Sequence, residues 1–158
     1  MSGVLYAATL ITALGCGLVA GVFFAFSTFV MPALKRLEPA EGIAAMRAIN
    51  VAALTPAFMV ALFGTAVACG ALALFALFAR DEGYAPYLLV GSALYLAGTI
   101  LLTITYHVPR NEALARVEPH DAEKLWSRYL SGWTAWNHVR TAAALAAAAA
   151  LTIALHLG

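Results

Sequence analysis

Four apolar runs, each about as long as a bilayer is thick, constrain this chain more than any other feature. They cover roughly Val4 to Leu34, Pro56 to Ala79, Pro86 to Val108 and Thr134 to Leu157. About 20 helical residues cross the ~30 Å hydrocarbon core. Inside lipid the backbone must satisfy its own hydrogen bonds, so runs of this length are helices. The composition agrees: the 158 residues are 63% hydrophobic and 11% charged, against about half and about a quarter in a soluble domain. The expected fold is all-α, a four-helix transmembrane bundle forming one integral membrane domain over residues 1–158. A formal net charge of +1 argues against a nucleic-acid partner. The first run is too long for a signal-peptide core and has no basic segment before it, so it is expected to remain as a span. Cys16 and Cys69 lie inside apolar runs without any CxxC pattern. They read as small packing residues, with a disulfide as the alternative.

Eight of the nine Lys and Arg residues lie in two places. Lys35, Arg36 and Arg47 follow the first run; Arg110, Arg116, Lys124, Arg128 and Arg140 follow the third or open the fourth. Only Arg80 lies between the second and third runs, beside Asp81 and Glu82. The positive-inside rule then places both long connections in the cytoplasm and both termini outside. These connections are amphipathic: Ile43, Met46, Asn50, Ala53 and Leu54 share one helical face, as do Leu125, Trp126, Tyr129, Leu130 and Trp133. The sequence therefore predicts two cytoplasmic amphipathic helices against the membrane surface, with Pro39 and Pro119 in their first turns. Ala33–Pro39 also matches Ala113–Pro119 at five of seven positions, and Pro32 and Pro109 read as corresponding helix ends. This suggests a parallel internal repeat, about 1–80 and 81–158, around an axis along the membrane normal. Ala13, Gly17, Gly21 and Ala25 form a small-residue stripe that lets another helix approach closely. It serves either a contact within the chain or a homo-oligomer seam through Gly17 and Gly21.

Polar residues concentrate where the fourth run opens, at Trp133-Thr134-Ala135-Trp136-Asn137-His138-Val139-Arg140-Thr141. Trp133, Asn137, Arg140 and Thr141 share a helical face, and His138 lies about 100° further round. Trp133, Trp136 and Arg140 also suit an interfacial anchor, but Asn137 and His138 do not. The third run ends with a second polar stripe, Thr99, Thr103, Tyr106, His107 and Arg110, followed by Asn111. Helical rise brings His107, Arg110 and Asn111 to the depth of Asn137, His138 and Arg140, and Asn50 reaches the same level. Ser27 and Thr28 read as bonding their own helix carbonyls. The expected site is a single cavity. His107, His138 and Arg140 are its candidate catalytic residues, and Asn50, Tyr106, Arg110, Asn111, Trp133, Trp136 and Asn137 its candidate substrate contacts.

Such a set supports three kinds of chemistry. An imidazole is a general base near neutral pH, and Arg and Asn stabilise an oxyanion, while aromatic rings hold a flat apolar ligand arriving from lipid. Alternatively His107 and His138 together ligate haem b or a transition metal, although no HExxH or ExxH pattern accompanies them. The third reading is a non-enzymatic membrane protein that binds a small molecule or a partner.

Several segments carry a resemblance: Gly21-Val22-Phe23-Phe24 to Pro32, Met46-Arg47-Ala48-Ile49-Asn50, Pro109-Arg110-Asn111 with Leu114, and Trp126 through Trp133 to Arg140. Over nearly its whole length the chain resembles the family of small four-span membrane proteins named for anthrone oxygenases. The resemblance implies a protein of a bacterial plasma membrane. It also implies oxidation of an activated aromatic methylene (anthrone- or quinol-like) by dioxygen, with no cofactor. His107 or His138 would then be the base, and Arg140 with Asn111 or Asn137 the oxyanion donors.

Overall fold

The computed structural model describes residues 1–118 and 121–158, and all secondary structure in them is helical. Four helices are long and apolar enough to cross a membrane: α1 Gly3–Leu34, α3 Pro56–Phe78, α4 Ala85–Arg116 and α5 Ala122–Leu157. The shorter α2, Pro39–Ala52, lies between α1 and α3. The protein is thus an integral membrane four-helix bundle. Its outer wall is apolar, with Val4, Leu18, Val67 and Phe78 turned outward, as a bilayer requires.

Local chemistry sets the starts. The Ser2 hydroxyl accepts the Leu5 N–H at 3.3 Å. Thr55 accepts the Phe58 N–H at 3.4 Å, with Pro56 in the first turn behind it. These are N-caps, and a proline there loses no helical hydrogen bond. Thr55 is extended because a residue before proline avoids helical geometry, and this separates α2 from α3.

Two segments run further than the sequence suggests. Neither Pro32 nor Pro109 ends its helix. A π turn precedes each, Phe26–Val30 in α1 and Thr103–His107 in α4. A proline ring collides with the carbonyl four residues back, and widening the turn by one residue relieves the collision. Threonines return hydroxyls to carbonyls in these stretches: Thr28 to Phe24 at 2.7 Å and Thr105 to Leu101 at 2.8 Å. The second amphipathic segment is not a separate helix. Its apolar face is as expected, with Trp126, Tyr129 and Trp133 buried, but it is continuous with the fourth span in a 36-residue α5. Unlike α2, it has no proline at its junction with the span. The expected first-turn role of Pro119, and the repeat match there, lie outside the described residues.

α5 packs most extensively on α1 and α4, α4 also packs on α3, and the α1–α3 contact is looser. Small residues permit these approaches: Gly98 meets Ala143, and Gly91 has the Ala147 carbonyl 3.1 Å from where a Cβ would stand. Between α1 and α3 the close-contact glycine is Gly15, against Thr65. Gly17 and Gly21 have open space at that position, so within the chain the small-residue stripe is not the seam. Cys16 and Cys69 are buried and free.

Two apolar cores result. One, around Cys16, Val19, Leu72, Leu88, Tyr95, Ala147 and Leu151, fills the half towards the termini. The other closes the opposite end: Met31 and Leu34 of α1, Ile43 and Met46 of α2, Leu114 of α4, and Trp126, Tyr129 and Trp133 of α5. Arg47 fastens α2 across this end, donating from Nε to the Leu114 carbonyl at 2.9 Å and from Nη2 to that of Val117 at 3.2 Å. These carbonyls end α4 and have no helical partner, so a guanidinium there satisfies them and complements the helix dipole.

Candidate functional site

Between the two cores lies a layer of buried polar side chains, and beside it a cavity of about 450 Å³. Arg140 sits at the centre of the layer and is only 4% exposed. Its Nη1 donates to Thr103 Oγ1 at 3.0 Å and its Nη2 to Asn137 Oδ1 at 2.5 Å. Asn137 in turn donates from Nδ2 to Ser27 Oγ and to the Phe23 carbonyl, both at 2.7 Å. The chain Ser27–Asn137–Arg140–Thr103 therefore ties α1, α5 and α4 together. Ser27 joins it rather than bonding its own helix, because Asn137 comes round on the buried face of α5; Thr28, turned outward, does bond its own helix. The guanidinium also lies 4.0 Å above the Phe23 ring and 5.3 Å from that of Trp133, within cation–π reach. Among the described residues no carboxylate pairs with it, and Nε has no hydrogen-bond partner.

His107 closes the second π turn of α4, Thr103–His107, and is 1% exposed. Its Nδ1 is 3.4 Å from the Leu102 carbonyl, five residues back. With the proton on Nδ1, Nε2 is a lone-pair acceptor, and it meets no donor. The backbone of Trp133 also lies within reach of the ring, and the tautomer decides which ring nitrogen donates and which is left as the lone-pair acceptor. The imidazole is held edge-on to the Trp133 indole, centroids 5.1 Å apart. Asn111 holds the other side of that indole: its Oδ1 accepts Trp133 Nε1 at 3.0 Å and the Tyr129 hydroxyl at 2.8 Å. With the oxygen engaged twice, the amide N–H groups of Asn111 are its remaining donors.

The cavity wall is mostly apolar, built by Phe23, Phe26, Met46, Ile49, Phe58 and Leu62 among others. His107, Arg140, Thr103, Asn111, Asn50 and Trp133 are its polar or amphipathic members. Asn137 stands behind Arg140 as its support. Two further π turns are Leu96–Leu101 in α4 and Val60–Gly64 in α3; the latter brings Leu62 and Phe63 to the cavity wall, and the Tyr95 hydroxyl donates to its Leu62 carbonyl at 3.0 Å. π turns recur at functional sites because they rotate side chains out of α-helical register.

Four expected members are elsewhere. His138 is exposed and lines an outer groove with Lys35, Arg36 and Glu123, away from His107. The buried face of α5 runs through Trp126, Tyr129, Trp133, Asn137, Arg140 and Ala144, and His138 falls about 100° off it. The paired-imidazole reading, haem b or a metal held by His107 and His138, therefore does not fit this placement. Nor is there a group of three His, Cys, Asp or Glu side chains placed for a metal among the described residues. Tyr106, Arg110 and Trp136 form an outer cluster off the cavity wall, with the Arg110 guanidinium 3.3 Å over the Tyr106 ring and the Trp136 ring 5.1 Å from it; Tyr106 joins it to the site through an edge contact on His107, centroids 5.4 Å apart. Arg110 and Trp136 are exposed there, as snorkelling and interfacial anchoring require. Conversely, Thr103, Ser27, Phe23 and the α3 wall were not among the expected site residues. Arg140's need for acceptors was the signal for Thr103; nothing in the sequence pointed to the α3 wall.

No curated protein and no solved structure matches the chain. A family model described as anthrone oxygenase matches residues 55–150. That stretch holds α3, α4 and most of α5, and with them Thr103, His107, Asn111, Trp133, Asn137 and Arg140. The match covers more than half of the chain, and on that ground this four-span membrane protein belongs to the anthrone oxygenase family.

Proposed function

We propose that the cavity oxidises a flat aromatic substrate with an activated, anthrone- or quinol-like ring, using dioxygen. One observation carries this reading: a guanidinium that no carboxylate among the described residues meets and a buried imidazole line the same, mostly apolar cavity. A buried cation costs free energy unless an anion meets it. A substrate that becomes an anion on losing a proton supplies the anion to Arg140 and the proton to His107 Nε2. The volume falls within the ~300–1,000 Å³ of small-molecule sites.

For an anthrone the sequence is as follows. His107 removes one proton from the ring methylene, and the negative charge delocalises to the ring oxygen. Arg140 and the Asn111 amide stabilise that oxyanion. The electron-rich anion gives electrons to dioxygen and forms a C–O bond. Loss of the second methylene hydrogen as a proton, with O–O cleavage, leaves a ketone and releases water. One oxygen atom enters the product and the other becomes water, with all electrons drawn from the substrate. In this reading the two long connections face the cytoplasm of a bacterial cell, because eight of the nine cations lie at that end.

The test is oxygen uptake by purified protein in lipid nanodiscs supplied with anthrone. His107→Ala should fold and lose turnover by about 10²–10⁴-fold, the usual worth of a positioned base. A folded variant that keeps the wild-type rate removes His107 from the chemistry. Anthrone binding without oxygen uptake in the wild type makes the cavity a binding site only.

A further inference from the structure

Both ends of the cavity are closed by packing. Towards the termini stand Leu72, Leu88 and Tyr95, all buried. At the other end α2 lies across the bundle, with Met46 fully buried and Gly42 pressed against the Trp126 ring. The side wall differs. Leu54, Phe63 and Val108 line the cavity and yet are 68%, 46% and 42% exposed, so they form a rim open on the flank of the bundle. All three are apolar, and Phe63 lies about two turns into α3, some 10 Å along the helix. The first turn of α3, Pro56–Met59, makes no extended contact with another helix; only the Phe58 ring reaches the core. From Thr65 onwards α3 is anchored, through the Gly15 contact and its packing on α4. The π turn Val60–Gly64 is itself fixed on its inner side, where Leu62 is 4% exposed and its carbonyl accepts the Tyr95 hydroxyl, and it turns Phe63 to the flank.

We propose that the cavity is loaded from within the bilayer, by a flat apolar aromatic that passes between Leu54, Phe63 and Val108. This rests on reading the cavity as a ligand site, but not on its chemistry. The competing aqueous route would enter past residues 52–54, where α2 ends and the cavity wall is exposed, and thiol labelling separates it from the lateral one. The rim residues Leu54, Phe63 and Val108 are all apolar, while the polar side chains of the wall are Asn50, Thr103, His107, Asn111 and Arg140, so the ligand crosses the rim neutral.

Thiol labelling tests the route without turnover. With Cys16→Ala and Cys69→Ala removing the native thiols, Val22→Cys or Thr103→Cys places one thiol in the cavity wall. The full chain is reconstituted in phosphatidylcholine–phosphatidylglycerol vesicles. One reagent is pyrenyl maleimide dissolved in the bilayer; the other is the anionic sulfonatoethyl methanethiosulfonate in water, whose charge Arg140 would favour. The pyrene reagent should label both positions and the charged reagent neither, from either face. Phe63→Trp and Val108→Trp should slow pyrene labelling by about tenfold or more, as gate residues do. Rapid labelling by the charged reagent, or rim variants with the wild-type rate, overturns the lateral route. Val22→Cys makes no contact with Arg140 and carries the test where Thr103→Cys disturbs the fold. A protein that labels as expected yet leaves anthrone unoxidised keeps the route and loses the oxygenase reading. One that oxidises anthrone but admits the charged reagent does the reverse.

Discussion

Arg140 is the residue on which the site turns, and its energetics separate stability from function. Its charge is buried against one amide, one hydroxyl and two aromatic faces. Replacing a buried charge by an apolar side chain of similar volume is often neutral or stabilising, whereas removing its partner strands the charge. Arg140→Met removes the buried charge but leaves Asn137 Oδ1 and Thr103 Oγ1 without their donor, so it should destabilise by less than Asn137→Ala and lose the ligand. Asn137→Ala leaves Arg140 Nη2 and Ser27 Oγ without their partner and should cost about 3 kcal/mol. Unfolding of both variants in mild detergent checks the pair; equal destabilisation would mean that Arg140 serves structure alone. The sequence reached Arg140 and Asn137 because charge and amide inside an apolar run have few places to go. It did not separate His138 from them: near a helix end, one residue of register decides between cavity and outer groove, and only the packed face of α5 fixes that register.

Among the elements, the π turns carry the most consequence. Pro109 was legible as a disturbance but read as a helix end, since local sequence does not say whether a proline stops a helix or only bends it. What continues α4 is remote: Leu114 is fully buried beneath α2, and Arg47 holds the carbonyls beyond it. Pro109→Ala removes the collision that the π turn relieves. The segment should return to α-helical geometry, turning residues before it by about 100° and taking His107 out of the cavity. The expected outcome is a fold at least as stable as the wild type, with oxygen uptake or ligand binding lost. Retained binding with unchanged amide chemical shifts over Thr103–His107 would show that the turn survives without its proline. The amphipathic face of 125–133 was also legible, but its fusion to the span was not, because continuity depended on the absence of a breaker rather than on any positive signal.

For the whole molecule, span number and helical class followed directly from the apolar runs, while the order of packing did not. Which helices touch depends on small-residue contacts such as Gly98 on Ala143 and Gly15 on Thr65, and many other Gly and Ala pairs in this chain had equal claim. The orientation proposed above is checked by cysteine accessibility. Glu41→Cys and Asp121→Cys, in a background without native thiols, should resist an impermeant maleimide in intact cells and react once the membrane is opened. Labelling of either in intact cells inverts the topology.

The length of α5 sets a further condition on the protein. From Arg140 to Leu157 the helix rises about 25 Å, against a hydrocarbon thickness of ~30 Å. With Leu157 at one boundary, the guanidinium lies only about 5 Å inside the other, where headgroups and water defects still temper its cost. Lipids with longer acyl chains move that boundary outward and leave the polar layer deeper in hydrocarbon; shorter ones bring it to the surface and wet the cavity. The protein is therefore matched to a bilayer of one thickness, and hydrophobic mismatch, through tilt of this single long rod, acts on the polar layer itself rather than on the helix ends.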